Sequence, residues 1–387
     1  FRSMDMLRKW TAENPDTMYL KAPIDATGYY RVTGHAADTA GWRGKTPATS
    51  GAIAPQVVIF QTITSVPGDT GSLVEMRECR NQTLDHLRNF DLVTDGDGRF
   101  EILIGPQRPE GYRGHFLTSL REMTCAHTGE KEPVAASYLS VREIFSDWER
   151  EIPLELSIIR LDAEGAIKPP IDSDFMAGKL EKIGRELPNQ IKFWQLLQEQ
   201  VLELAGDRNG DGPRRLPVND ITRPAPPFTA GGVAGATQLY ASGVFQLTDE
   251  EVLMVKVITP AEPAYIGFQL GNVWFEGPDQ QNFISSLSDS QLPVSSDGSR
   301  YYLIAARDPG YPGWVDTTGY DFGSFTMRFL FRQLPDDNEL PIASARLVKA
   351  SELPQLLPAD ETKLTTADRR KQIAVRQAHI KRRWRNY

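Results

Sequence analysis

Charged, amide and aromatic side chains that could do chemistry are concentrated in residues 272–328. Glu276 and Asp316 are candidate acid/base groups, because a carboxylate held away from water can exchange a proton near neutral pH. Arg328 is a candidate anchor for an anionic group of a substrate. The candidate substrate-binding residues are Asn272, Trp274, Arg307, Asp308, Trp314 and Tyr320. Aromatic walls with a few charged groups are typical of a small-molecule pocket.

The same residue types also fit a structural arrangement. An Arg–Asp pair can tie strands together, and tryptophans can fill the core of a β-sandwich. Arg142 holds, in the first of two similar halves of the chain, the place that Arg328 holds in the second, which favours a structural role for Arg328. Exposure of Trp274 and Trp314 distinguishes the alternatives, because close-packed tryptophans leave no room for a ligand.

One segment opens like a calcium-binding loop. Asp207, Asn209 and Asp211 alternate and are followed by a glycine, as in the first half of such a loop. The bidentate glutamate expected at the closing position is replaced by Val218. A solvated turn is therefore the preferred interpretation, and a calcium site at Asp207, Asn209 and Asp211 is the alternative.

A second group of possible metal ligands is His115, Cys125 and His127, which are soft ligands for zinc or iron but have no evident fourth member. An exposed loop is the competing interpretation. Serine nucleophile elbows, the P-loop and the dinucleotide fingerprint do not occur in the sequence. No metal and no organic cofactor is therefore predicted.

The elements that must position these residues repeat along the chain. Residues 97–115 and 297–314 share one order: an Asp-Gly turn, an aromatic residue, an apolar strand, a proline, Gly-Tyr-x-Gly and a bulky ring. Further matches occur in the same order, namely residues 20–22 with 255–257, 138–142 with 325–328, and 156–161 with 342–347. A repeat in this form predicts two halves built alike.

Short apolar runs separated by glycine and proline predict a mainly β protein. We expect two related β-sandwich or jelly-roll-like halves with a helical insert and a C-terminal helix. The predicted divisions are an N-terminal helical segment at 1–16, a first β domain at 17–165, a helical hairpin and linker at 166–235, a second β domain at 236–350, and a basic C-terminal helix at 351–387.

Helical spacing occurs between the halves and at the end. Apolar residues three and four apart in residues 174–205 define one helical face, and Pro188 is expected to divide it into two helices. The basic tail, residues 366–387, carries an apolar stripe of Ile373, Ile380 and Trp384. We expect this tail to pack on the acidic body or on a second subunit, so a homo-oligomer through the C-terminal helix is one alternative.

Composition limits the class of protein. The chain has 387 residues, a net charge of −8 and a pI near 5.4, which argues against a general nucleic-acid binder. No apolar run reaches the length of a membrane span. Cys79 and Cys125 are too few for a disulfide scaffold, although one bridge is possible. A soluble protein in a reducing cytoplasm is the simplest expectation.

The second half resembles a bacterial family known as domain of unknown function 1214. The segments that carry the resemblance are residues 268–276, 286–291, 297–298, 306–310 and 313–317. Members have an asparagine where Gly313 stands and often a histidine where Tyr320 stands, so any chemistry of those two side chains is altered here. The resemblance implies β-sandwich or jelly-roll domains with a helical insert, and it implies no established activity.

These observations predict a small-molecule enzyme without an organic cofactor. A lyase, isomerase or hydrolase of secondary or catabolic metabolism would use a carboxylate acid/base and an arginine anchor in an aromatic pocket. The alternative is a non-catalytic ligand-binding protein, recognising carbohydrate through exposed tryptophans, or an assembly protein. Neither a nucleic acid nor a membrane is an expected partner.

Overall fold

The computed structural model describes residues 2–4, 13–76, 79–80, 83–125, 128–167, 170–202, 216–226 and 237–383. The strands of the first half are β1 (Arg2–Met4), β2 (Thr17–Pro23), β3 (Tyr30–His35), β4 (Val57–Ile63), β5 (Thr83–Arg88), β6 (Arg99–Gly105), β7 (His115–Thr118), β8 (Leu120–Thr124), β9 (Lys131–Ala135), β10 (Tyr138–Ile144) and β11 (Glu155–Arg160). The strands of the second half are β12 (Gln238–Gln246), β13 (Glu251–Ile258), β14 (Tyr265–Gly271), β15 (Ser286–Ser288), β16 (Arg300–Ala305), β17 (Trp314–Asp316), β18 (Phe322–Leu330) and β19 (Ile342–Lys349). The helices are α1 (Ser173–Leu202), α2 (Leu353–Leu356) and α3 (Thr366–Arg383). The predicted mainly β class is confirmed.

Each half is a sandwich of two sheets with the same strand order. The first half has the orders β1-β2-β10-β4-β5 and β11-β3-β6-β7, and the second has β12-β18-β14-β15 and β19-β13-β16-β17. In both halves one pairing is parallel, β6 with β7 and β16 with β17. The two orders coincide when β2, β4 and β10 are matched with β12, β14 and β18.

The matched turns support this correspondence, but one predicted match is wrong. Gly98 and Gly298 lead into β6 and β16 with φ angles of 80° and 79°, a left-handed conformation that glycine adopts without steric cost. Lys21 and Lys256, in contrast, lie in β2 and β13, which belong to non-corresponding sheets. A short apolar run around a lysine recurs in many half-buried strands, so it cannot identify one of them.

Large apolar residues alternate with polar ones along residues 325–329, as expected of a strand with one face in a core. Phe325, Met327 and Phe329 are fully buried in the core of the second sandwich, because side chains two apart on a strand point to the same face. They meet residues of the opposing sheet such as Val255 and Tyr302. The first sandwich is filled in the same way from both of its sheets.

The two halves pack directly on one another. Val57, Ile59 and Ile144 of the first half form one buried cluster with Tyr265 and Leu330 of the second. Burial of apolar surface between the sandwiches stabilises their contact. Tyr265, the first residue of β14, therefore lies at the boundary between the halves.

Two helical predictions are wrong. Arg2–Met4, within the predicted N-terminal helical segment, is a strand paired with β2. The predicted hairpin is one helix, because α1 runs through Pro188. A proline removes one backbone hydrogen bond and bends a helix, but contacts beyond it can keep the helix going. Here Asn189 and Gln190 donate to the backbone carbonyls of Asp69 and Pro67, both at 2.9 Å.

Helix α3 begins at a reciprocal cap. The Thr365 hydroxyl accepts a hydrogen bond from the Asp368 amide at 3.2 Å, and the Asp368 carboxylate accepts one from the Thr365 amide at 2.8 Å. The predicted apolar stripe contacts both halves, since Ile380 lies in the first core and Ile373 packs against the second. Trp384 lies outside the described residues. Among the described helices, none is both long and apolar enough to cross a membrane.

Candidate functional site

Asn272, Trp274 and Glu276 alternate in sequence as one face of a strand would, but they form a turn in which Trp274 and Glu276 are exposed. Strand β14 ends at Gly271, and the Asn272 side-chain oxygen then accepts hydrogen bonds from the amides of Trp274 and Glu276 at 2.8 and 3.0 Å. The Asn272 amide group donates to the Glu276 carboxylate at 2.7 Å. Trp274 is 50% exposed. Glu276 is therefore a solvated partner of Asn272 and not a desolvated acid.

The dipeptide Arg307-Asp308 is divided between two ion pairs. Arg307 pairs with Asp249 at 2.6 Å on the surface, where both side chains are mostly exposed. Asp308 receives two hydrogen bonds of 2.9 Å from the guanidinium of Arg369 in α3. That guanidinium also lies 5.1 Å from the centre of the Trp314 ring. Arg369 of α3 therefore contacts both Trp314 and Asp308, whose side chain is 33% exposed.

Asp316 and Arg328 lie in different sheets, in β17 and β18. Burial raises the pKa of the Asp316 carboxyl, which accepts a hydrogen bond from the Thr318 amide at 2.8 Å. Tyr320 follows in a turn and is 42% exposed. The predicted site residues are thus distributed over separate places.

Arg328 has a counterpart in the first half. Its guanidinium lies 5.5 Å from the ring of Tyr240 on the neighbouring strand, and Arg142 lies 5.8 Å from the ring of Tyr19. Each arginine is directly opposite its tyrosine in the sheet register. Arg328 also donates to the side chain of Gln269. The repetition of this contact supports a structural role for Arg328.

The metal hypotheses are also changed by the structure. Cys125 forms a disulfide with Cys79, so it has no thiolate to offer a metal beside His115, and this alternative to a metal-free loop is excluded. The His115 Nε2 atom accepts a hydrogen bond from the Val93 amide at 2.8 Å. His127 lies outside the described residues, as do the calcium candidates Asp207, Asn209 and Asp211. Among the residues that are described, no group of three or more His, Cys, Asp or Glu side chains could hold a metal ion.

A different group of polar side chains is buried where both halves meet α3. We call it the junction cluster, and its members are Asn14, Asp16, Phe145, Trp148, Tyr265, Arg376, His379 and Arg383. Asn14 and Asp16 precede β2 in a turn, in which the Asn14 side chain accepts a hydrogen bond from the Asp16 amide at 3.1 Å. Helix α3 contributes Arg376, His379 and Arg383, whose spacings of three and four place them on one face.

The centre of the junction cluster is a carboxyl–phenol pair. The Tyr265 hydroxyl donates to the Asp16 carboxyl at 2.5 Å, and the Trp148 indole N–H donates to the other oxygen of Asp16 at 3.1 Å. Asn14 donates to the Tyr265 oxygen at 2.8 Å. Asp16 and Tyr265 are 1% and 0% exposed. Burial raises the pKa of Asp16, while the Tyr265 hydrogen bond and the charge of Arg383 oppose the rise.

The aromatic rings of the cluster are covered by α3. His379 is stacked on Trp148 at 5.0 Å and meets the Phe145 ring edge-on at 4.8 Å. The Arg383 guanidinium lies 4.6 Å from the Trp148 ring and 4.9 Å from the Phe145 ring. Arg376 lies 4.9 Å from Trp148. Cations over aromatic faces are attracted by the ring quadrupole, more strongly where water is excluded.

Three buried side-chain nitrogens of α3 have no hydrogen-bond partner in the described part of the chain. They are Nε2 of His379 and Nε and Nη2 of Arg383, and the two on Arg383 are donors. His379 Nδ1 is 3.3 Å from the Arg382 guanidinium, and the ring also interacts with the Trp148 backbone. Burial lowers the pKa of His379 well below its usual value, and the charges of Arg383 and Arg382 act in the same direction.

Charge is unbalanced around these donors. Burial lowers the pKa of Arg376 and of Arg383 to about 10, so both remain cationic at neutral pH. The carboxyls that act on these arginines are Asp16, on both, and Glu13, on Arg383, and burial raises the pKa of Asp16. Unpaired donors beside buried cations are costly, and the group that would satisfy them is an anionic oxygen.

One side of the junction cluster reaches the surface. Arg383 is only partly buried as a residue, and so is Glu13, which precedes Asn14. Glu13 also acts on the pKa of Arg383. The unpaired Nε and Nη2 atoms of Arg383 are themselves buried.

The sequence contained one signal for this site. Arg369, Arg376 and Arg383 are seven residues apart, which places them on one face of a helix. Arg369 and Arg376 are 8% and 2% exposed. Charged residues at a spacing of seven usually indicate a solvent-exposed helix face. Only the long-range contacts to Asp16 and Tyr265 show that this face is buried.

Fold and site together define a class of protein with two matched β-sandwiches joined by a helix and closed by a C-terminal helix over a buried polar cluster. No family model matches the chain, and no curated protein matches it. An uncharacterized protein from Burkholderia cenocepacia is similar in structure, with a TM-score of 0.67 and 22% identity over 89% of this chain and 79% of that one. The VPA0106 protein from Vibrio parahaemolyticus has a TM-score of 0.44 and 12% identity over 87% and 90% of the two chains. The first likeness shows the fold alone, and the second is too distant to support an argument.

Proposed function

We propose that the protein is an enzyme that carries out acid–base chemistry on a small anionic organic molecule held at the junction cluster. The observation that carries this proposal is a set of three buried nitrogens, one on His379 and two on Arg383, that have no partner among the described residues and lie beside the hydrogen-bonded pair of Asp16 and Tyr265. Buried ionisable groups with shifted pKa values at a boundary between domains are typical of active sites.

The roles expected from the sequence are reassigned to other residues. Arg383 replaces Arg328 as the anion anchor, and Trp148 and Phe145 replace Trp274 and Trp314 as the aromatic walls. Asp16 takes the place of Glu276 or Asp316 as the acid/base, with Tyr265 relaying or stabilising its proton. A carboxyl whose pKa is raised can take a proton from the substrate and return it, as lyases, isomerases and hydrolases require. These roles need no organic cofactor.

Binding is tested first. Inorganic phosphate and a panel of small mono- and dicarboxylates are titrated against the protein, with thermal unfolding as the readout. A ligand at about 100 times its dissociation constant stabilises the folded state by about 2.7 kcal/mol. Arg383→Met should abolish the stabilisation. Arg370→Met, an exposed arginine on the same helix, is the matched control and should leave it intact.

Catalysis is tested in deuterated water. The protein is incubated with the carboxylates that bind, and proton NMR follows loss of C–H signals or the appearance of new ones. Asp16→Asn should retain binding and lose exchange or turnover, because the amide cannot take up the proton. Absence of binding by every anion, or binding unchanged in Arg383→Met, would refute an anion site at the cluster.

A second candidate is ligand binding without catalysis. Trp274, half-exposed on the tip of its turn, offers an aromatic face of the kind that stacks on sugar rings. Oligosaccharides that quench tryptophan fluorescence in the native protein but not in Trp274→Ala would favour carbohydrate binding over the enzyme hypothesis.

We further infer that the two halves arose by internal duplication and that they belong to the domain of unknown function 1214 family; their coinciding strand orders support the first inference.

The location is also a proposal. Cytoplasm is expected from the low cysteine count, but the Cys79–Cys125 bond supports an oxidising compartment. Thiol alkylation of freshly lysed native cells, followed by mass spectrometry of the two cysteine peptides, distinguishes them.

A further inference from the structure

The first half of α1 is exposed around its whole circumference. Residues 173–185 are all exposed, whereas Phe193 and Trp194 in the second half are buried against the body. This exposed segment is about 20 Å long at 1.5 Å per residue. A single helix of this length is marginally stable in water without tertiary packing. A packing partner along this segment would therefore stabilise the helix.

An apolar stripe runs along the exposed segment and continues to Ile191. Its members are 47% to 64% exposed, and they are Phe175, Met176, Leu180, Ile183, Leu187 and Ile191. Spacings of three and four place the members from Met176 onward along one side of the helix, and Phe175 lies at the edge of the stripe. Among the residues that the structure describes, nothing covers them. Contiguous exposed apolar surface of this kind marks an interaction site.

We propose that this stripe pairs antiparallel with the same stripe of a second copy of the chain. The stripe is symmetric about Ile183, because Leu180 and Leu187 lie about equally far on either side, and so do Met176 and Ile191. In a two-fold antiparallel pair Ile183 meets the partner's Ile183, and Leu180 meets the partner's Leu187. A two-fold contact requires such self-complementarity.

The charges beside the stripe fit the same register. Lys179 and Glu186 flank it on one side and are about equally distant from Ile183, so each Lys179 faces the partner's Glu186. Within its own helix, Glu186 lies 3.3 Å from Lys182. Its carboxylate can accept hydrogen bonds from this lysine and from the partner's Lys179 at the same time. On the other side stands Gly184, where a Cβ would meet nothing within 4 Å, so a second backbone can approach closely.

The size of the contact predicts a weak dimer. Burying roughly 90 Å² on each of six side chains in both copies removes about 1,000 Å² in total, which is the lower limit for a specific interface. We therefore expect a dissociation constant on the order of 10 μM. The C-terminal helix offers no comparable surface, because its Arg369, Arg376, His379 and Ile380 are buried in their own chain.

Sedimentation velocity of the full chain, across two decades of concentration around 10 μM, tests the proposal. Ile183→Asp should weaken the dimer at least about tenfold by placing two carboxylates together at its centre. Arg185→Asp, on the opposite face of the same turn, is the control and should leave the dimer intact. A monomer at every concentration, or equal loss in both variants, would overturn the proposal.

A charge exchange tests the register. Lys179→Glu alone and Glu186→Lys alone should each weaken the dimer by about threefold to tenfold, and the double exchange should restore it. No restoration would overturn the antiparallel arrangement. Flotation of the protein with neutral phosphatidylcholine vesicles, while the free chain stays monomeric, would assign the stripe to a lipid surface instead.

Discussion

Removing the hydroxyl of Tyr265 should destabilise the protein far more than its size implies. Tyr265→Phe keeps the ring, so no cavity forms, but it removes the 2.5 Å hydrogen bond to Asp16 and leaves Asn14 without its 2.8 Å acceptor. A hydrogen bond to a charged group contributes about 1.5–3 kcal/mol and an orphaned amide costs about 1 kcal/mol. We expect a loss of roughly 2–4 kcal/mol at pH 7, measured by urea unfolding.

The loss should depend on pH in one direction. The pKa of Asp16 is raised in the folded protein from 3.8, so its protonated form favours folding at low pH and this contribution is lost as pH rises through the folded pKa. Without the Tyr265 donor the folded pKa rises further. Tyr265→Phe should therefore cost least in acid, where Asp16 is neutral, and most at pH 7.

The chain offers a matched control in Tyr302. Tyr302 is also fully buried, yet its hydroxyl has no hydrogen-bond partner among the described residues. Tyr302→Phe should be neutral or stabilising by up to about 1 kcal/mol, because it removes an unsatisfied polar group. Equal losses in Tyr265→Phe and Tyr302→Phe, or a loss below about 0.5 kcal/mol for Tyr265→Phe, would refute the importance of the Asp16 contact.

Three further outcomes are expected from urea unfolding. Arg369→Met should cost about 1–3 kcal/mol, because it removes a bidentate pair whose side chains are 9% and 33% exposed, whereas Arg307→Met on its exposed pair should cost under about 0.5 kcal/mol; similar values would contradict the assignment. Asp289, with a pKa of about 6, favours folding at low pH, so Asp289→Asn should gain about 1–1.5 kcal/mol relative to the native chain between pH 5 and pH 7.5. If Asp289→Asn gains no stability over this pH range, the pKa of Asp289 is not raised in the folded protein. The Cys79–Cys125 bond spans 46 residues, so the double serine variant should lose about 4 kcal/mol in the chain-entropy estimate, and reduction should cost the native chain equally.

Local pattern predicted much of the fold. Alternation of large apolar residues identified Phe325, Met327 and Phe329 as one buried face, and β-branched runs identified strands such as Val57–Ile63. Asp-Gly turns marked Gly98 and Gly298 correctly. These features depend on neighbours in sequence, which is why they are readable without a structure.

The candidate site was predicted less well because its contacts are long-range. Asn272, Trp274 and Glu276 alternate as a strand face would, but an asparagine side chain can also close a turn by binding amides two and four residues later, and the alternation does not distinguish the two. Asn14 and Tyr265, in contrast, are 251 residues apart and meet through one hydrogen bond. No local pattern joins them.

The buried arginines of α3 show why the proposed site differs from the one predicted from the sequence. A basic tail is normally a solvated face, but a guanidinium can be buried when aromatic rings cover it and carbonyls accept its donors. Arg376 satisfies this condition by donating to the Gln280 and Ser286 carbonyls. Arg383 satisfies it only in part, since one nitrogen donates to Pro15 and two have no acceptor among the residues that the structure describes. Because the two arginines share one helix face and one ring, Trp148, the difference between them is what locates the proposed anion at Arg383.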